Sequence, residues 1–216
     1  MNRRPASKPG YYGRLRAPII AAMERGAHKV LDVGCGEGVL GAWLLDQGYA
    51  RQVDGVDFHE PSVVVARKRL HRVFLCDLNK LDKSELYELM HCSEYDYIVC
   101  ADILEHLVDP WGWVRFFSER LSAGGRFIVS IPNVCSYKIM LPLLLRDRFD
   151  YKDRGLLDRT HLRFLTRRTA MEMLEQCGLK VVAVRPLVGS RVLRFPLSHR
   201  FIAHQWLLVA QKPIPS

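Results

Sequence analysis

A strand that runs straight into a glycine-rich turn and out into a helix constrains this chain more than any other feature of its sequence. Lys29–Val33 is a compact apolar run, Gly34-Cys35-Gly36-Glu37-Gly38 follows it, and Val39–Asp46 has helical spacing up to the stop at Gly48. Glycines at such a turn let a ligand approach the backbone where a side chain would stand in the way. The spacing is not that of a dinucleotide loop, which needs a small residue at position 39, where Val39 stands, and a third glycine one residue later than Gly38. Nicotinamide and flavin are therefore disfavoured.

The rest of the chain keeps the same rhythm. Strands are predicted at Gln52–Asp57, Arg72–Leu75, Tyr95–Cys100, Arg126–Ile131, Leu179–Arg185 and Gln205–Gln211. Helices are predicted at Ser62–Leu70, at Ser84–His91, at Trp111–Leu121 on a Trp111, Val114, Phe117, Leu121 stripe, and from a Thr166 cap to about Cys177. A short amphipathic helix carrying Leu15, Ile19, Ala22 and Met23 precedes the first strand. Strands alternating with helices make an α/β fold: a doubly wound sheet of seven strands, mostly parallel with an antiparallel last strand, and helices on both faces.

At 216 residues and 49% hydrophobic composition, one core accounts for the chain. The organisation expected is a loose Pro-, Gly- and Arg-bearing arm over residues 1–13 and a single domain over 14–216. An insertion at about 133–166 breaks the rhythm with an apolar segment, Ile139–Leu145, and a charged one, Arg146–Arg163. It would lie over the carboxyl ends of the strands, where open parallel sheets bind ligands.

Lysine and arginine outnumber aspartate and glutamate by 32 to 23, a formal charge of +9 that favours acidic partners such as phosphates, nucleic acid or anionic sugars. No apolar run reaches the length of a membrane span or follows Arg3 and Arg4 as a secretory signal would. The six cysteines, Cys35, Cys76, Cys92, Cys100, Cys135 and Cys177, have no CxxC spacing and read as reduced thiols rather than a disulfide frame or zinc site. A cytoplasmic protein is expected.

An acidic residue followed by GxGxG, as in Asp32 to Gly38, resembles the first motif of the class I S-adenosylmethionine-dependent methyltransferases. The resemblance runs from Tyr11 to the C-terminus and implies a Rossmann-like fold and S-adenosylmethionine as cofactor. That cofactor has no phosphate, so Gly34, Cys35, Gly36, Gly38 and the following helix N-terminus need only receive its methionine carboxylate. Arg14 or Arg16 would add a charge-assisted contact. Asp57 ends the second strand about 20 residues after the first glycine, where a carboxylate can accept both ribose hydroxyls. By resemblance, Asp77 would accept the adenine amine while Leu78 offers its amide to the ring, Phe58 would pack on adenine, and the Ala101 backbone would lie beside the cofactor's amino group. Tyr11 and Tyr12 would cover the cofactor or anchor the arm.

Asp102-Ile103-Leu104-Glu105-His106 follows the fourth strand. If it begins a helix, positions 102, 105 and 106 share one face. His106 is then a candidate general base, oriented by a carboxylate such as Glu105, that removes a proton from a substrate hydroxyl so that the oxygen attacks the cofactor methyl in line. Two branches of the superfamily that this chain resembles, the small-RNA 2′-O-methyltransferases and the ubiquinone-pathway O-methyltransferases, carry ExxEH here. That resemblance implies a divalent metal such as magnesium or zinc on Asp102, Glu105, His106 and His161. Asp102 departs from the pattern, being shorter than glutamate by one methylene. The same turn can also do no more than cap and solvate a helix.

The stretch Leu156-Leu157-Asp158-Arg159-Thr160-His161-Leu162-Arg163-Phe164, with Arg146 to Tyr151 before it, resembles a segment of bacterial methyltransferases from polysaccharide clusters and implies a lid over the acceptor. Its arginines can recognise a phosphate or carboxylate, or pair with neighbouring aspartates in solvent. Asn133 has a substrate-binding and a turn-forming reading. The function expected is O-methylation of a small-molecule or glycan-linked acceptor. The alternatives are metal-assisted RNA 2′-O-methylation, for which no grouped basic and aromatic residues speak, and a non-catalytic cofactor-binding scaffold, against which the intact glycines, Asp57 and Asp77 speak.

Overall fold

The computed structural model describes residues 16–90, 94–187 and 199–215. The chain clusters into two compact units, Met1–Asp77 and Leu78–Ser216. Arg14, Tyr11, Tyr12, Cys92 and the arm over 1–13 lie outside the described residues.

The first unit holds α1 (Ala17–Ile20), β1 (His28–Val33), α2 (Val39–Asp46), β2 (Ala50–Asp57), α3 (Glu60–Ala66) and β3 (Arg72–Leu75). Its strands are all parallel, in the order β3-β2-β1. Val30, Leu31, Val33, Val53 and Val56 are buried, as continuous apolar runs in a covered parallel sheet should be. Gly41 lets α2 settle on this sheet: a Cβ there would stand 2.8 Å from Val53 Cγ1 and 2.5 Å from Leu70 Cδ2. The predicted helix to Leu70 stops at Ala66, and Leu70 reaches the core from the turn that follows, its main-chain amide bonded to Ala66 O. Before the first strand, the amphipathic helix shrinks to one turn, yet Ile19, Ala22 and Met23 are buried.

The second unit holds α4 (Lys83–Met90), β4 (Tyr95–Ala101), a 3₁₀ turn (Leu104–His106), α5 (Pro110–Glu119), β5 (Leu121–Pro132), α6 (Tyr137–Arg146), α7 (Arg167–Gln176), β6 (Lys180–Leu187), α8 (His199–Ile202) and β7 (Gln205–Gln211). β4 and β5 are parallel, and β7 runs antiparallel to both β5 and β6, giving β4-β5-β7-β6. With the first unit this makes seven strands, mostly parallel, with the last one reversed.

Pro110 opens α5, and the Asp109 carboxylate caps it by accepting the Gly112 amide at 2.9 Å. Of the predicted stripe Val114 and Phe117 are buried on α5, joined by Trp113 and Phe116, whereas Trp111 lies exposed in the first turn and the buried Leu121 belongs to β5. The buried Trp113 indole is satisfied by the Leu78 carbonyl at 2.8 Å. Thr166 caps α7 in a reciprocal box with Thr169.

Candidate active site

The glycine turn in the first unit is built by backbone geometry. Gly34, Gly36 and Gly38 have φ of 76°, 54° and 75°, the left-handed region in which L side chains are strained. The Asp57 carboxylate, buried at the end of β2, ties the turn to the start of α3. Oδ2 accepts the Gly36 amide and Oδ1 accepts the His59 amide, each at 2.8 Å.

The Gly34 and Cys35 amides donate to Val56 O at 2.7 and 3.1 Å, and the Gly38 amide to Cys35 O at 2.9 Å. The Gly34, Cys35, Gly36 and Gly38 amides are thus each bonded within the protein. An anion is left the first-turn amides of α2, which no helix can satisfy internally. Strained glycines without Cβ atoms, a helix start and a carboxylate at the next strand's tip fit a nucleoside carrying an amino-acid tail.

Asp32 is buried, and burial first, then Asp57, raises its pKa to about 7 against the lowering effect of Arg16. Burial also pushes the Cys35 thiol up, Asp32 and Asp57 adding to it. Cys35 packs inward: a Cβ on Gly55 would lie 2.6 Å from its sulfur. Phe58 is largely exposed beyond β2 and Asp77 half-buried beyond β3. In the second unit, Ala101 is buried at the end of β4 and the Leu78 carbonyl serves Trp113.

The acid–histidine turn lies in the second unit. It is a single 3₁₀ turn, not the start of an α-helix, and this corrects the shared-face geometry. Asp102 precedes the turn in a left-handed conformation, φ 57°, and its Oδ1 accepts Ser130 Oγ and Gln205 Nε2, both at 2.8 Å. It is not in the ligand cluster that the structure does assemble. Glu105, His106 and His161 each present a ligand atom, all within 4.8 Å of one another, and the two imidazoles stand edge to face at 4.8 Å between centroids.

The segment carrying His161 is bonded directly to this turn. Leu162 and Arg163 amides both donate to Glu105 O, at 2.7 and 3.0 Å, and the Arg163 guanidinium donates to Val108 O. From the other side Asn79 brackets the turn, donating to His106 O at 2.9 Å and accepting the Val108 amide at 2.8 Å. Nothing in the spacing of Asn79 marked it for this role.

Each ring has its Nδ1 directed at the backbone. His106 Nδ1 lies 3.1 Å from Thr160 O and 3.0 Å from Thr160 Oγ1, while Thr160 Oγ1 donates to Asp158 Oδ1 at 2.7 Å. His161 Nδ1 lies 3.2 Å from Leu156 O. A carbonyl only accepts, so Nδ1 carries a proton in both rings, and in the neutral form of each Nε2 carries the lone pair. Burial holds the His161 pKa below the usual histidine range, against the Leu156 hydrogen bond and the fields of Asp158 and Asp102. Asn133 resolves to its turn reading: fully buried, it donates to Arg200 O and Ala203 O and accepts the Cys135 amide.

A strand, a strained glycine turn and a helix, set among seven mostly parallel strands with the last reversed, define a Rossmann-like enzyme built to hold a nucleoside cofactor. Residues 8–184 match the family model described as a methyltransferase domain, and the chain belongs to that family as a class I S-adenosylmethionine-dependent methyltransferase. Among its relatives is a ubiquinone biosynthesis O-methyltransferase of Idiomarina loihiensis, 28% identical over 86% of this chain and 75% of the relative. Another of that name, from Thiobacillus denitrificans, is 30% identical over 70% of this chain and 67% of the relative. Solved structures share the fold. An S-adenosylmethionine-dependent methyltransferase of Archaeoglobus fulgidus matches with TM-score 0.66 at 17% identity, covering 91% of each chain. One from Mesorhizobium loti matches with TM-score 0.64 at 18% identity, covering 91% of this chain and 96% of its own.

Proposed function

We propose that this methyltransferase acts on a hydroxyl oxygen of a small-molecule or glycan-linked acceptor, with His106 taking the hydroxyl proton. The junction of Glu105, His106 and His161 carries this reading. A neutral hydroxyl is a weak nucleophile and needs a base beside it, whereas many amines do not. With its proton on Nδ1 and bonded to Thr160, the His106 ring offers Nε2 as that base. The buried Glu105 carboxylate lowers the energy of the imidazolium that forms. His161, resistant to protonation, stays neutral near pH 7 and helps position the acceptor oxygen. Bound S-adenosylmethionine supplies an electrophilic methyl group on its sulfonium. The names of the relatives, O-methyltransferases, support oxygen over nitrogen.

In this reading Gly34, Gly36, Gly38 and Asp57 hold the cofactor, and residues 133–166 form the acceptor lid of a single domain over 14–216. As an alternative, the two imidazoles and one carboxylate make a three-ligand set suited to a divalent ion such as zinc or magnesium, which would lower the acceptor's pKa with His106 Nε2 serving as a ligand instead of the base. Asp102, bonded to Ser130 and Gln205, is not among these ligands. The free cysteines among the described residues support a cytoplasmic location.

The test is methyl transfer from isotopically labelled cofactor to a panel of phenols, hydroxylated glycans, amines and RNA, before and after chelation, with products identified by mass spectrometry. An oxygen-methylated small molecule or glycan is the expected product. Transfer to amines or RNA alone overturns the acceptor class, and full activity after chelation removes the metal.

A further inference from the structure

Helix α6 exposes an apolar stripe that a protein of this size ordinarily hides. Its buried side is Ile139, 3% exposed. Tyr137, Leu141, Leu144 and Leu145 recur at helical spacing along its outer side, 43%, 50%, 71% and 75% exposed, with Leu143 at 38% on the flank. Single exposed leucines need no explanation, but a contiguous run on one helix face marks an interaction surface.

The charges around the stripe select its partner. Lys138 and Arg146 stand exposed at the two ends, with no ion pair among the described residues, whereas Arg148 is held by Asp150 at 2.9 Å. The helix itself contains no acid. No described helix is long and apolar enough to cross a membrane. An apolar face framed by basic residues, on a helix about 15 Å long, suits the boundary between acyl chains and anionic headgroups.

We propose that α6 docks this enzyme on a membrane surface bearing anionic phospholipid, with Leu141, Leu144 and Leu145 entering the headgroup boundary and Lys138 and Arg146 meeting phosphates. The docking does not depend on which acceptor is methylated.

The experiment is flotation of the full chain with vesicles of phosphatidylcholine alone or mixed with phosphatidylglycerol. Co-flotation with the mixed vesicles that weakens in salt is expected. The Leu144→Glu/Leu145→Glu variant should lose it by roughly tenfold or more while its melting temperature and binding of S-adenosylhomocysteine hold. Should that variant fold poorly, Lys138→Gln/Arg146→Gln alters only exposed charges and should weaken flotation in the same direction. Absence of flotation, or equal flotation with both vesicle types, overturns the proposal. So does a dimer in light scattering that the leucine variant dissociates without any vesicle binding, which would make the stripe an interface between two copies.

Discussion

Asp57 Oδ2 accepts the Gly36 amide at 2.8 Å across 21 residues of chain, so the acid that closes β2 also holds the turn leaving β1. Its other oxygen holds the His59 amide. Asp57→Ala therefore removes a proposed ribose acceptor and unties the loop. It should cost about 1–3 kcal/mol in stability for the amides left unpaired and weaken S-adenosylhomocysteine binding as well. Denaturant titration and calorimetry read the two losses separately. Stability at the parent level would show that the loop does not depend on this carboxylate.

Asp32 makes stability fall with rising pH. Its folded pKa of about 7 lies above the ordinary 3.8, so between those values the folded chain keeps a proton that the unfolded chain releases. The stabilisation is complete below the lower value and lost as pH rises through the upper one, at about 1.4 kcal/mol per tenfold difference in proton affinity. Asp32→Asn should flatten this slope between pH 4 and 7 and raise the cofactor-free melting temperature at pH 8. An unchanged slope in the variant would assign the pH dependence to other groups.

Replacing His106 with alanine should lower turnover about 10²- to 10⁴-fold and leave S-adenosylhomocysteine affinity within about twofold, as the ring is not assigned to the cofactor. Single-turnover kinetics on an identified acceptor check this. Full activity in the variant would end the general-base assignment.

Thr166→Ala deletes one half of the box that caps α7. The expected loss is about 1 kcal/mol, or roughly 2–4 °C in melting temperature for a domain of this size. Methyl transfer should change little, because Thr166 is not one of the Glu105, His106 and His161 set.

Where one local signal decided the outcome, the sequence was enough. α2, β3 and β7 have the predicted bounds, each being a short apolar pattern closed by clear punctuation. β5 begins at Leu121, five residues before the predicted Arg126, because Gly124 and Gly125 look like a turn. What keeps that stretch in the strand is its pairing with β4, where Leu121 lies opposite Tyr95 across a register shift. The acid–histidine turn shows the same limit. Glu105, His106 and His161 could be singled out by residue type, but the left-handed backbone at Asp102 and the bonds from Ser130 and Gln205 come from distant strands. Asn133 likewise reads as either ligand or scaffold until the carbonyls of Arg200 and Ala203 are beside it.

If residues 133–166 are the acceptor lid proposed above, the double hold of Leu162 and Arg163 on a single carbonyl would link admission of an acceptor to readiness for reaction. His161 belongs to that strip of chain, while Glu105 and His106 belong to the turn. Lifting the strip to let a bulky guest enter would dismantle the three-membered set, and only its return would restore it. On that assignment, a gatepost that is also part of the machinery would make the enzyme competent only when shut.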